Sequence, residues 1–178
     1  FNFLILKKIN YEKILKSKDF IKKINIKNLI NFKTKKFSQK PIEGLELKID
    51  VAYGRLNYSK KILISESIFK CEGDINLIDE FSLLTFNCSL ISDNKKKLFK
   101  KFLKNKFEDQ KFLLNAKGNL SLINKKINFK SISIDENYKA SKEDMKYFKE
   151  TFENIIFDES FFEMFNLKKI ERFIVEIF

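Results

Sequence analysis

The chain has 178 residues, 44% apolar and 34% charged, with a formal net charge of +12. With 21 phenylalanines it has enough apolar material for a core at single-domain length, so composition argues against a disordered tail. No run approaches the roughly 20 apolar residues of a membrane-spanning helix, and the lack of histidine excludes imidazole-based catalysis and histidine-ligated metal sites.

Residues 1–40 read as a basic lead-in segment, partly helical, with Tyr11, Ile14, Leu15 and Ile21 near helical spacing and Lys18 and Lys22 on the other side. The single proline, Pro41, followed by Gly44, marks a boundary.

Residues 44–134 read as an antiparallel β-meander. Leu45, Leu47, Ile49, Val51 and Tyr53 alternate with Glu46, Lys48, Asp50 and Ala52, the period of a half-buried strand. Turns are expected at Gly54-Arg55 and again at Ser59-Lys60, before the run Ile62–Ile64. A hairpin centred on Asp79-Glu80 then sets Phe69, Cys71, Gly73, Ile75 and Leu77 opposite Leu90, Cys88, Phe86, Leu84 and Ser82. A slip of one residue would set apolar against polar along the whole ladder, so the pattern specifies the register. Near residues 95–107 the spacing turns helical: Leu98, Phe99, Phe102 and Leu103 are ringed by lysines, a helical crossover with a basic rim. Strand alternation returns in Leu114, Ala116, Gly118, Leu120 and Leu122, and a turn at Asn124-Lys125 leads to Ile127 and Phe129. Gly73 and Gly118 are placed alike in the two hairpins, a hint of an internal repeat.

Residues 137–178 read as C-terminal helices. Ser141-Lys142-Glu143-Asp144 has the form of a capping box, and Met145, Phe148, Phe152 and Ile155-Ile156 make an apolar stripe. Asp158 is an N-cap candidate for a last helix carrying Phe161, Phe162, Phe165 and Phe173. The expected fold class is therefore α+β: a curved antiparallel β-meander of about six to eight strands, with C-terminal helices packed on or capping the sheet.

The residues that could carry function each have a plainer reading. Phe69, Ile75, Leu77, Leu84, Phe86, Leu120, Leu122 and Phe129 form an apolar face that either touches lipid or is ordinary core. The segment holding Lys97, Phe99, Lys100, Phe102 and Lys104 could lie on an anionic membrane surface; the commoner alternative is a helix capping the sheet with its lysines in solvent. Cys71 and Cys88 face each other across the hairpin, where a disulfide is sterically open. Two small apolar residues on a buried face is the commoner fate of such a pair. Carboxylate pairs such as Glu143/Asp144 fall at helix starts, where the dipole accounts for them. The four glycines form neither a Walker nor a GxGxxG loop. The chain reads as non-enzymatic, with no cofactor. Nucleic acid is disfavoured as a partner, because only Arg55 and Arg172 offer the guanidinium fork that reads phosphate and guanine. Enrichment in Ile, Asn, Phe and Lys, all with A/T-rich codons, accounts for part of the positive charge.

Two stretches resemble the C-terminal region of AsmA-like proteins. One is Tyr53-Gly54-Arg55-Leu56-Asn57-Tyr58 with the following Phe69–Leu77 run. The other is Gly118–Phe129 with the helix Glu143-Asp144-Met145-Lys146-Tyr147-Phe148-Lys149. The resemblance covers roughly residues 44–178 and consists of β-alternation rather than a chemical signature. It implies a periplasmic β-structure with an apolar groove, anchored to the inner membrane through a segment outside this chain. It also implies a part in outer-membrane biogenesis or lipid transport between membranes, with phospholipid, the membrane surface or envelope proteins as partners. No catalytic residues come with it. The alternative is a structural or protein-interaction module with a closed core.

Overall fold

The alternation of apolar and polar residues that dominates the middle of the chain becomes one long ladder. The computed structural model describes residues 17–33, 42–64, 66–99, 109–121 and 123–156. It shows an open, eight-stranded antiparallel sheet whose strands follow one another in sequence order. The strands are β1 (Asn25–Lys33), β2 (Ile42–Ala52), β3 (Arg55–Ile64), β4 (Ser67–Asn76), β5 (Leu83–Ser92), β6 (Phe112–Ser121), β7 (Lys126–Ile134) and β8 (Tyr138–Lys139). Among the described residues three helices accompany them: α1 (Lys18–Ile21), α2 (Lys95–Phe99) and α3 (Lys142–Ile156). The molecule is thus mostly β, and the expected meander has eight strands.

The register puts one residue set on each face. Val51, Leu56, Ile75, Leu84, Leu120 and Ile127 share the apolar face, and Lys48, Ser59, Glu72, Asn87, Lys117 and Ser131 share the other. A bulge in β7 preserves this division. Lys117 pairs with Ser131 and Gly118 with Phe129, so Lys130 is the extra residue. Without it, the three-residue step from Phe129 to Ile132 would turn Ile132 and Ile134 away from the core.

Several expectations need correction. Residues 25–33, expected within a loosely helical lead-in, form the edge strand β1. Pairing with β2 along its whole length outweighs a weak local pattern in which Leu29 breaks the alternation of Ile26 and Ile30. The first turn lies one residue earlier than expected, at Tyr53-Gly54, where φ values of 50° and 83° make the two-residue loop that matches strand twist. Ser59-Lys60 is not a turn but the middle of β3. The β4–β5 connection is the six residues 77–82 rather than two. Regular pairing ends at Glu72–Asn87, although Cys71 does pair with Cys88 as expected. Beyond that point the Asp74 amide donates to Thr85 Oγ1 at 2.9 Å, and the Thr85 hydroxyl donates to Asp74 Oδ1 at 2.6 Å. The segment near 95–107 is no crossover, because β5 and β6 are adjacent and antiparallel. Of its expected helix, α2 is described and residues 100–108 lie outside the described residues. The last expected helix, from Asp158, also lies outside them.

The expected capping box does form. The Ser141 amide donates to Asp144 Oδ2 at 2.9 Å, and the Asp144 amide donates to Ser141 Oγ at 3.1 Å. The bond from the Ser141 backbone amide, followed by bonds from the Tyr138 and Ser141 hydroxyls, holds the Asp144 carboxyl below its usual range.

Candidate functional site

Among the described residues four packed clusters divide the apolar face. At one end Ile21 of α1 covers Ile75 and Leu77, with Val51, Leu56 and Leu84 around them. At the other end Leu98 of α2 packs on Phe112, beside Leu90, Leu114 and Ile134. Over β5–β7, Phe152 of α3 joins Phe86, Leu120, Ile127 and Phe129, while Phe148 and Met145 join Ile132 and Ala140. The Phe129 ring stands edge-on to both Phe86 and Phe152, at 5.8 and 6.2 Å between centroids. The Ile127 amide donates to Glu153 Oε1 at 2.9 Å, tying α3 to β7 through a second kind of contact.

The candidate apolar residues therefore divide. Ile75, Leu77 and Leu120 are buried in clusters, and Leu84, Phe86 and Phe129 are half-buried beside them. Phe69 is half-buried and belongs to none of the clusters formed by described residues, as do Leu45, Leu47 and Ile49 on β2. Leu122 lies outside the described residues.

In the candidate surface helix, Leu98 turns inward and is 3% exposed, while Lys97 is solvent-facing and meets Glu66 at 2.9 Å. Lys95 lies over the Phe112 ring. Lys100, Phe102 and Lys104 lie outside the described residues, as does the side chain of Phe99.

Cys71 and Cys88 form a disulfide between neighbouring strands, with a Cα separation of 4.0 Å. That closeness suits a non-hydrogen-bonded pair, where opposing side chains approach most. Tyr58 and Lys60 stand beside this link on the apolar face. Tyr58 lies opposite Gly73, and its hydroxyl reaches the Thr85 carbonyl at 3.3 Å and Cys71 Sγ at 3.7 Å. Burial, then the charges of Asp74 and Glu72, push the Tyr58 phenol up to about 12. Burial alone pulls the Lys60 ammonium down to about 8. The hint of a repeat gains a structural counterpart here: Tyr58 of β3 faces Gly73 of β4, and Phe86 of β5 faces Gly118 of β6. In each case an aromatic ring covers the bare backbone of the next strand.

The other face holds the feature that sequence reading missed. It forms an open trough of about 820 Å³ running across β2 to β8. Four of its lining residues are Lys61, Lys70, Lys117 and Lys139. Lys61 pairs directly opposite Lys70. The row then continues Lys70–Ser89–Asn115–Ser133–Lys139, one residue per strand. Among the described residues none of these four side chains makes an ion pair within 4 Å or a hydrogen bond, although Glu46 stands opposite Lys61 across β2–β3. Of the acidic residues in the trough, Glu46 meets Lys48 at 3.3 Å and Glu72 accepts from Asn87 Nδ2 at 3.3 Å. The signal was present in the alternation, since Lys61, Lys70 and Lys117 all fall at polar-face positions. Their convergence needed the register of six strand pairs.

Among the described residues no cluster of three or more Cys, Asp or Glu side chains is arranged to hold a metal, and no helix is long and apolar enough to cross a membrane. No protein-family model, curated protein or solved structure matches the chain.

Proposed function

We propose that the chain is a non-catalytic β-module of an AsmA-like envelope protein that handles acyl chains on one half of its apolar face and closes the path on the other. In this reading the C-terminal helical layer seals β5–β7, so that the fold works as α+β, and an acyl chain lies over β2–β4. The observation that carries it is the division of the apolar face. The β5–β7 half is consolidated by the Phe86–Phe129–Phe152 stack, whereas Leu47, Ile49 and Phe69 are half-buried apolar side chains outside the clusters. The Cys71–Cys88 disulfide supports an oxidising compartment such as the periplasm. The family assignment rests on the sequence stretches that resemble AsmA-like proteins.

Native mass spectrometry of the chain purified from a Gram-negative host, with lipid extraction alongside, tests this. Phospholipid should co-purify at a defined stoichiometry. It should be lost in Leu47→Glu and Ile49→Glu variants whose far-ultraviolet dichroism is unchanged. A clean unliganded mass, with no uptake from phospholipid vesicles, would remove the lipid reading and leave a structural module with a closed core. Exposed Ile26, Leu29 and Ile30 on edge strand β1 favour a protein contact in that second reading.

A further inference from the structure

The structure points to a ligand site on the face of the sheet that the lipid reading does not use: we infer that the polar trough binds an anionic oligosaccharide, a hydroxyl-rich chain carrying carboxylate or phosphate groups. This inference is independent of the lipid reading and would stand if that reading failed.

Lys61 and Lys70 face each other across the β3–β4 ladder, a placement that costs folding free energy because like charges directly opposite repel. Glu46 stands opposite Lys61 on the β2 side, but the ion pair it makes is with Lys48, and Glu72 accepts from Asn87; among the described residues neither Lys61 nor Lys70 makes an ion pair within 4 Å. Lys117 and Lys139 extend the positive potential along the trough. At about 4.8 Å per strand, Lys70 and Lys139 stand roughly 19 Å apart along the sheet, a span suited to an elongated polyanion.

The chemistry between the lysines selects the class of polyanion. The trough floor between Lys70 and Lys139 is Ser89, Asn115 and Ser133, flanked by Asn87 and Ser131. These amides and hydroxyls match the donors and acceptors of sugar hydroxyls. Among the described residues no aromatic ring lines the trough to stack on bases, which disfavours single-stranded nucleic acid. A peptide laid on the face of a sheet meets no free backbone groups, because the ladders consume them, and its own amides would lose water without replacement. A membrane surface is disfavoured by shape: the lysines line a concavity rather than a projecting patch.

The test is calorimetric titration of the full chain with three probes of comparable charge: a hexamer of galacturonic acid, a single-stranded thymidine hexamer and a hexaglutamate peptide. A neutral maltohexaose is the fourth probe, and vesicles with anionic lipid the fifth. The galacturonate hexamer should bind at least tenfold more tightly than each of the others, with affinity weakening as salt rises. The double variant Lys61→Gln/Lys70→Gln should lose at least tenfold in affinity, Lys117→Gln should lose severalfold, and Lys146→Gln on the exposed side of α3 should lose nothing. These lysines are exposed, and in the double variant the lost Lys61–Lys70 repulsion offsets the lost attraction between Lys61 and Glu46, so the melting temperature should hold. That keeps a binding loss distinct from unfolding. Equal affinities for the trough variants and Lys146→Gln overturn the inference. So does tighter binding of the thymidine hexamer, the peptide or the vesicles, or the absence of binding by the galacturonate hexamer.

Discussion

Replacing Phe129 with alanine tests whether α3 is held on the sheet by the aromatic stack. Complete truncation of a buried phenylalanine costs about 3–5 kcal/mol. Phe129 is half-buried, so about 2 kcal/mol of that is expected. Its two edge-to-face contacts, to Phe86 and Phe152, contribute about 0.5–1.5 kcal/mol each beyond area burial. The sum is about 3–5 kcal/mol, which for a chain of this size lowers the melting temperature by roughly 6–20 °C. Urea denaturation followed by circular dichroism measures the loss, and a double-mutant cycle with Phe152→Ala should give a coupling of about 0.5–1.5 kcal/mol. The matching cycle between Phe69 and Phe152 is the control. Phe69 sits on β4, three strands from β7, so those two losses should add to within about 0.5 kcal/mol. A loss below about 1 kcal/mol for Phe129→Ala, or no coupling to Phe152, would refute the reasoning that α3 is fixed through this ring.

Three further outcomes follow from the geometry. Gly118→Ala should destabilise by about 1–3 kcal/mol in urea denaturation, because its Cβ would run into the Asn128 carbonyl and lie 2.6 Å from Phe86 Cζ; adding Phe86→Leu should recover only part, since the backbone oxygen remains. Stability should peak near pH 10. The Lys60 contribution is full above the unfolded value near 10.5 and fades as pH falls through about 8, whereas the Tyr58 contribution is full below 10 and fades as pH rises through about 12. Melting temperature against pH reads this directly: Lys60→Met should abolish the rise towards pH 10, and Tyr58→Phe should abolish the fall beyond it. Ser141→Ala should cost about 1 kcal/mol in a thermal melt, and NMR titration of Asp144 should show its carboxyl moving back up towards the ordinary range.

What could be read ahead of the structure follows from the range over which each signal acts. The Cys71–Cys88 register was legible because the alternation on both strands agrees on one solution, and a slip of one residue inverts both faces. The Ser141–Asp144 capping box was legible because it closes within four residues. The β4–β5 turn was misread for the opposite reason. Its conformation depends on Thr85 substituting for a ladder partner of Asp74 and on the Leu77 amide donating to the Gly54 carbonyl, contacts with no local sequence mark. Strand β1 was missed because an edge strand needs only one partner and tolerates a broken pattern: Ile26, Leu29 and Ile30 are all exposed, so no core selected their spacing. The lysine trough combines both situations. Each lysine is assigned to its face by local alternation, but a binding surface exists only once separate ladders bring Lys61, Lys70, Lys117 and Lys139 to one side of a curved sheet. Composition alone cannot distinguish this, because codon-driven lysines raise the net charge wherever they fall. The informative quantity is the ladder itself, because only the strand register shows that Lys61 stands between Lys70 and Glu46 and which neighbours each lysine has.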